Sequence, residues 1–149
     1  GIRVPMIARW PGMIEPGRTS DHVGYFGDMM ATCAELAGAQ TPEDCDSISF
    51  VPTLLGSKSR RKQAVHPFLY WEFHEGAVTQ QAVRFQNWKG IRSYGGKLAV
   101  YDLEHDLGET KDVAAEHPDV VYRIEEILAA AHGENAEWPL KSKTAGKRK

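Results

Sequence analysis

The chain has 149 residues, of which 42% are hydrophobic and 9% aromatic, and a formal net charge of −2. These values are typical of one globular domain with a buried core. Apart from its C-terminal end the chain has no basic stripe of the kind that binds nucleic acid, and it has no apolar run of the roughly eighteen residues that a membrane span needs.

The predicted elements begin with a strand at residues 2–10, where apolar residues occupy both faces. That pattern is typical of a strand covered on both sides in an α/β sheet, with Pro5 at an edge or a bulge. Such a strand needs neighbours on both sides and none precedes it, so we expect the chain to be the end of a longer protein.

A helix is predicted from Tyr25 to Ala37, with an apolar stripe that includes Cys33 and with Gly38 as its stop. We therefore expect Cys33 to be buried, whereas Cys45 lies in a polar loop and is expected to be exposed. The sequence permits a disulfide between the two cysteines without requiring it. One short helical turn is expected within Ser49–Leu55, ended by Gly56.

The hydrophobic period then changes to two, which predicts four strands joined by short connections. They span residues 68–73, 81–85, 88–94 and 98–103. Short connections between consecutive strands favour an antiparallel meander. A last helix begins near Pro118 and ends before Gly133, and its apolar stripe predicts that Val121, Ile124 and Leu128 cover the sheet through residues such as Val83, Phe85 and Val100.

Several segments, in chain order, carry a resemblance to a known family. They are the Gly-Ile-Arg-Val-Pro…Trp-Pro-Gly run at residues 1–12, the helix at 28–38, Asp46–Gly56, Tyr70–Glu75, Ala82–Lys89 and the Leu-Tyr-Asp-Leu-like segment at 100–114. Together they resemble the C-terminal part of sulfatases, in particular bacterial arylsulfatase-like members of the alkaline phosphatase superfamily. Departures such as Ala31, Ser47 and Leu107 fall at turn or cap positions.

The resemblance implies an α+β fold, with an antiparallel sheet of about four strands packed against a C-terminal helix. It assigns residues 1–56 to the end of the large α/β sulfatase domain and 57–140 to the C-terminal subdomain, and residues 141–149 are expected to be a disordered basic tail. The parent would be a sulfuric ester hydrolase, periplasmic or secreted, that uses calcium and a formylglycine made from a Cys or Ser in a C/S-x-P-x-R motif.

Neither Cys33 nor Cys45 lies in such a motif, so no catalytic or metal-binding residue is assigned to this chain. Asp102, Asp106 and Glu109 resemble a metal loop but are expected to cap backbone groups between strand and helix. The resemblance to arylsulfatase-like members leaves Trp71, His74, Glu75 and Arg84 as candidate substrate-binding residues. Trp71 would stack on a sugar or aryl group, and Arg84, with Lys89, would contact an anionic substrate; alternatively, all of them belong to a strand end and the polar face of the sheet.

Two other functions remain open from the sequence. The chain could instead be the C-terminal part of a related phosphonate or phosphate monoester hydrolase. It could also be a non-catalytic carbohydrate-binding or interaction module. The partner expected for the parent is a sulfated carbohydrate or an aryl sulfate, with no nucleic acid and no membrane. The chain by itself is expected either to self-associate through residues 2–10, because unpaired strand edges are templates for association, or to fold this segment against its own helix at residues 25–37.

Overall fold

The computed structural model describes residues 2–74 and 76–142. The chain divides into an N-terminal unit that ends at His66 and a C-terminal unit that begins at Pro67. This division lies later in the chain than the predicted boundary after Gly56. The predicted tail at 141–149 lies outside the described residues except for Lys141 and Ser142. Among the described residues, no helix is both long and apolar enough to cross a membrane.

The C-terminal unit is a four-stranded antiparallel meander in the order β1-β2-β3-β4. Its strands are β1 (Leu69–Phe73), β2 (Gln80–Phe85), β3 (Trp88–Ser93) and β4 (Ala99–Asp102). They agree with the predicted strands to within one or two residues. The fold class predicted for this part of the chain is therefore confirmed.

Helix α3 (Pro118–Ala131) covers one face of this sheet. Val83 and Val100 of the sheet and Ile124 of the helix are fully buried, and Leu128 is 2% exposed. Phe85 and Val121 pack against this core, which confirms the predicted contact. Gly90 permits the close approach, because a Cβ added there would lie 2.7 Å from Cγ2 of Ile124.

The N-terminal unit contains helix α1 (Asp28–Leu36), helix α2 (Val51–Leu55) and a 3-10 helix at Gly56–Lys58. Gly38 and Gly56 have positive φ angles of 68° and 56°. Both helices predicted here are confirmed, and Gly38 stands where the predicted stop requires a left-handed residue.

The strand predicted at residues 2–10 is wrong, because none of these residues is in a strand. Strand backbone groups need a hydrogen-bonding partner, and no strand among the described residues pairs with residues 2–10. Val4 is 76% exposed and Ile7 is 93% exposed.

The predicted burial of Cys33 is also wrong, since Cys33 is exposed, and it is a free thiol like the half-buried Cys45. Helix α1 buries Asp28, Ala31 and Thr32 instead. The Asp28 carboxylate accepts hydrogen bonds from the Ile48 amide at 2.8 Å and from the ring of His66 at 2.9 Å. These polar contacts turn the other face of α1 inward and leave its apolar stripe exposed.

Candidate functional site

The two faces of strand β1 carry different chemistry. Tyr70 and Glu72 share one face with their cross-strand partners Val83 and Gln81, and α3 packs on this face. Trp71 lies on the opposite face. The period of two therefore separates Glu72 from Trp71, although they are neighbours in sequence.

On the helix-covered face, the Glu72 carboxylate holds three side chains. Its Oε1 accepts hydrogen bonds from the Tyr70 hydroxyl and from His132 Nδ1, the latter at 2.6 Å. Its Oε2 lies 2.9 Å from His74 Nε2. His132 is the residue that follows the end of α3, so Glu72 ties the end of this helix to β1.

Two further hydrogen bonds extend this arrangement across the sheet. Gln81 Nε2 donates to the Tyr70 hydroxyl at 2.7 Å, and Arg92 Nε donates to Gln81 Oε1 at 3.0 Å. Burial raises the pKa of the Tyr70 hydroxyl, and its hydrogen bond to Glu72 raises it further. We call Tyr70, Glu72, His74, Gln81 and His132 the Glu72 cluster.

The electrostatics of the Glu72 cluster favour an ionised carboxylate. Partial burial acts to raise the pKa of Glu72, but the hydrogen bonds from Tyr70, His132 and His74 outweigh it and hold that pKa below its ordinary value. The Glu72 carboxylate is therefore negatively charged in the folded chain, and three hydrogen-bond donors stabilise this charge.

His74 has a partner at each ring nitrogen. Nε2 faces Glu72, and Nδ1 lies 3.3 Å from the Thr79 hydroxyl. Thr79 is fully buried, and its backbone and hydroxyl bond the backbone of Lys141 at 2.9 Å. The ring centroid of Trp138 lies 5.9 Å from that of His74. His74 is thus a structural link between the end of β1 and the segment that follows α3.

The opposite face of the sheet holds Trp71, Arg84 and Lys89. Arg84 pairs with Leu69 across β1 and β2, which makes Trp71 its diagonal neighbour on the same face. Lys89 pairs with Arg84 across β2 and β3 and is 5% exposed. Its ammonium group donates to Glu109 at 2.6 Å. The Glu109 backbone has a φ of 57°, a left-handed conformation that places this carboxylate over the buried lysine.

The structure therefore divides the predicted site residues. It brings Trp71 and Arg84 to one face and places His74 with the Glu72 cluster on the other. Glu75 lies outside the described residues. Sequence reasoning missed Glu72 and His132. Alternation along β1 places Tyr70, Glu72 and His74 on one face, but no local signal joins Glu72 to His132, sixty positions later.

Of the three acids expected to cap backbone groups after β4, Asp102 and Asp106 do so, the former by accepting from the Glu104 amide at 3.0 Å. Glu109 does not, because its carboxylate pairs with Lys89 instead. Asp106 accepts hydrogen bonds from the amides of Thr110 at 2.7 Å and Lys111 at 2.9 Å. Asp112 accepts from the amides of Val100 and Ala114, each at 3.0 Å. These contacts hold the pKa of both carboxyls below their ordinary range.

Among the described residues, one group of acidic and histidine side chains has metal-ligand spacing: Asp102, Glu104 and His105. His105 Nδ1 lies 2.7 Å from Asp102, and Glu104 accepts from Asn87 at 2.6 Å. Calcium prefers six to eight oxygen ligands. A site with one nitrogen and two carboxylates that already have other partners does not fit this ion.

Comparison with known proteins finds relatives of this chain over most of its length. A sequence profile described as "N-sulphoglucosamine sulphohydrolase, C-terminal" matches residues 1–133. An N-acetylgalactosamine-6-O-sulfatase of Bacteroides thetaiotaomicron is 29% identical over 141 residues, covering 86% of this chain and 27% of that protein. An ulvan-active sulfatase of Formosa agariphila is 46% identical over 56 residues, covering 38% of this chain and 11% of that protein.

Solved structures share the fold. A protein in complex with its substrate D-glucosamine-2-N,6-O-disulfate superimposes with a TM-score of 0.68 at 22% identity, covering 83% of this chain and 26% of that one. A phosphonate monoester hydrolase of Agrobacterium radiobacter gives a TM-score of 0.52 at 20% identity, covering 78% of this chain and 28% of that one. The chain spans about a tenth to a quarter of the length of these curated relatives.

Proposed function

Because the chain belongs to the family of N-sulphoglucosamine sulphohydrolase C-terminal domains, we propose that it is the C-terminal part of a longer sulfatase. That protein hydrolyses sulfate monoesters of carbohydrates or of aryl alcohols to the alcohol and sulfate. The observation that carries this proposal is the family match over residues 1–133, supported by sulfatase relatives that align with most of the chain.

In this proposal the chemistry belongs to the remainder of the protein. Cleavage of a sulfate ester needs an activated nucleophile, a cation that binds the sulfate oxygens, and an acid for the leaving oxygen. The chain contains no C/S-x-P-x-R motif, and the one cluster with metal-ligand spacing among its described residues, Asp102, Glu104 and His105, does not fit calcium. The formylglycine and the calcium expected for the parent are therefore assigned outside these residues.

The contribution of this chain is structural and includes one side of the substrate pocket. Trp71 offers an indole ring for stacking on a sugar, and Arg84 offers a planar guanidinium that pairs with two sulfate oxygens. Both lie on the sheet face away from α3. Glu75 follows the end of β1 in sequence, and we propose that it contacts the substrate. His74 has partners at both ring nitrogens on the other face, so we propose that it acts on substrate choice by holding the end of β1 in place.

The reaction is tested in the longer protein that contains this chain. Turnover of a chromogenic aryl sulfate is compared with that of the matching phosphonate and phosphate monoesters. We expect the sulfate ester to have the highest kcat/KM and its turnover to fall when calcium is chelated. A preference for the phosphonate or phosphate ester would assign the chain to the related hydrolases instead.

The pocket is tested in the same protein with Trp71→Ala, Arg84→Ala, His74→Ala and Glu75→Ala, beside Tyr122→Ala on the exposed side of α3 as a control. We expect each pocket variant to lower kcat/KM for a sulfated sugar about tenfold or more beyond its effect on a small aryl sulfate. Equal losses on both substrates would instead make these residues structural.

A further inference from the structure

The N-terminal unit carries a group of exposed positive charges, most of them consecutive in sequence, that the proposed chemistry does not use. Four of the five residues from Lys58 to Lys62 are basic, and all four are exposed. The fold adds Arg18, whose guanidinium donates to the Leu54 carbonyl at 2.9 Å beside the same loop. We call Arg18, Lys58, Arg60, Arg61 and Lys62 the basic cluster.

The backbone that carries the basic cluster is ordered by its own hydrogen bonds. The Ser59 amide donates to the Gly56 carbonyl at 3.0 Å, and the Ser59 hydroxyl donates to the Arg61 carbonyl at 2.9 Å. The Gln63 side chain accepts from the Thr53 amide at 3.0 Å. The loop therefore presents its cations from a fixed backbone, which lowers the entropy lost when a ligand binds.

Most of this charge is not neutralised within the described part of the chain. Arg61 pairs with Glu35, and Lys58 Nζ donates to the Gly12 carbonyl at 2.8 Å. No described carboxylate lies within ion-pair distance of Arg60 or Lys62. The complete chain has a net charge of −2, so the cluster is a local excess of positive charge.

The arrangement fits a polymeric anion better than a small one. A small anion needs donors that converge on one point, whereas successive residues of an exposed loop distribute charge along a line. A chain with repeated negative groups can pair with several such cations and release its counterions. Arginine also matches the planar fork of oxygens that a sulfate group presents.

We propose that the basic cluster binds sulfated polysaccharide chains. This inference rests on the proposed function, because a sulfatase of carbohydrate polymers meets such chains as its substrates. The cluster supplies charge-dependent affinity for the polymer and takes no part in the reaction.

The test measures binding of the 149-residue chain to dextran sulfate and to unmodified dextran, across a series of salt concentrations. The variant is Arg60→Ala/Lys62→Ala. The control is Lys97→Ala/Lys111→Ala, which removes the same charge from side chains that are 84% and 65% exposed. Thermal unfolding of both variants establishes that they fold.

We expect the chain to bind dextran sulfate and not dextran. The Arg60→Ala/Lys62→Ala variant should lose affinity roughly tenfold and show a weaker salt dependence, while the control should match the unchanged chain. Unchanged affinity in that variant would place polyanion binding elsewhere, for instance in the basic residues after Ser142, and overturn the proposal. Tighter binding of duplex DNA or anionic vesicles through the same two residues would overturn it as well.

These outcomes are separable from those of the proposed function. If the longer protein hydrolyses sulfate esters but the variant binds dextran sulfate normally, only the basic cluster is misassigned. If the cluster binds as expected but the longer protein prefers phosphonate esters, the reaction is misassigned and the binding result stands.

Discussion

At the scale of single residues, the chain uses its carboxylates to fix backbone and side chains rather than to form an empty acidic site. Glu72 holds Tyr70, His74 and His132, and Asp106 and Asp112 accept from backbone amides. Glu109 neutralises the buried Lys89. This ion pair connects two of the segments that resemble sulfatases, residues 82–89 and 100–114.

The Glu72 cluster makes stability depend on pH in a defined direction. Because the pKa of Glu72 is lowered in the folded state, its contribution is present above the unfolded pKa and is lost as pH falls through the folded pKa. We expect Glu72→Gln to lower the free energy of unfolding by about 1–3 kcal/mol near neutral pH. The loss should shrink towards acid pH.

The measurement is urea unfolding of both proteins at several pH values, with the exposed Glu125→Gln on α3 as the control. The control should change the free energy of unfolding by less than about 0.5 kcal/mol. A Glu72→Gln effect that is the same at every pH would show that the ionised carboxylate does not hold the cluster together.

At the scale of elements, α3 and the sheet stabilise one another through a continuous apolar core. Leu128 is 2% exposed and Tyr122, on the same helix, is 65% exposed. We expect Leu128→Ala to cost about 2–5 kcal/mol and Tyr122→Ala less than about 0.5 kcal/mol in denaturant unfolding. Equal midpoints for Leu128→Ala and the unchanged chain would mean that the helix is not docked.

The N-terminal unit has large apolar side chains that no other described residue buries. Within residues 2–10, Val4 is 76%, Met6 61% and Ile7 93% exposed. We expect residues 2–10 to drive self-association of the chain, because exposed apolar segments with unpaired backbone groups recruit partners. Light scattering after size-exclusion chromatography should show dimers or larger species, and a chain that starts near Asp21 should be monomeric. A strictly monomeric 149-residue chain would refute this role.

Elements set by local sequence patterns were predicted correctly, whereas features that depend on contacts between distant residues were not. The strands and α3 were predicted because their apolar periods of two and 3.6 are local signals. The strand at residues 2–10 was wrong, because a strand requires a partner that local pattern does not provide. The burial of Cys33 was predicted wrongly because Asp28 and Thr32 form polar contacts with residues 48 and 50. These contacts bury the polar face of α1 and leave its apolar stripe exposed.

The site was less predictable than the fold for the same reason. Trp71 and Arg84 share a face, which alternation predicts once the register is known. The bond from Glu72 to His132 joins residues 60 positions apart, and only the docked helix brings them together. The reach of Arg18 to the loop after α2 is likewise non-local.

At the scale of the whole molecule, the chain belongs to the family of N-sulphoglucosamine sulphohydrolase C-terminal domains. Its relatives extend well beyond it, since its matched residues make up 11% and 27% of the two described above. The sheet and α3 form a stable unit with a polar link at one end. We propose that the nucleophile and the cation lie elsewhere in the protein.

The most direct test of this account is hydrolysis of a chromogenic aryl sulfate, with calcium added, by the purified 149-residue chain beside the longer protein that contains it. We expect turnover by the longer protein and none by the chain. Turnover by the chain that persists through repurification and disappears in Cys33→Ala or Cys45→Ala would contradict it, because the nucleophile would then lie within these residues.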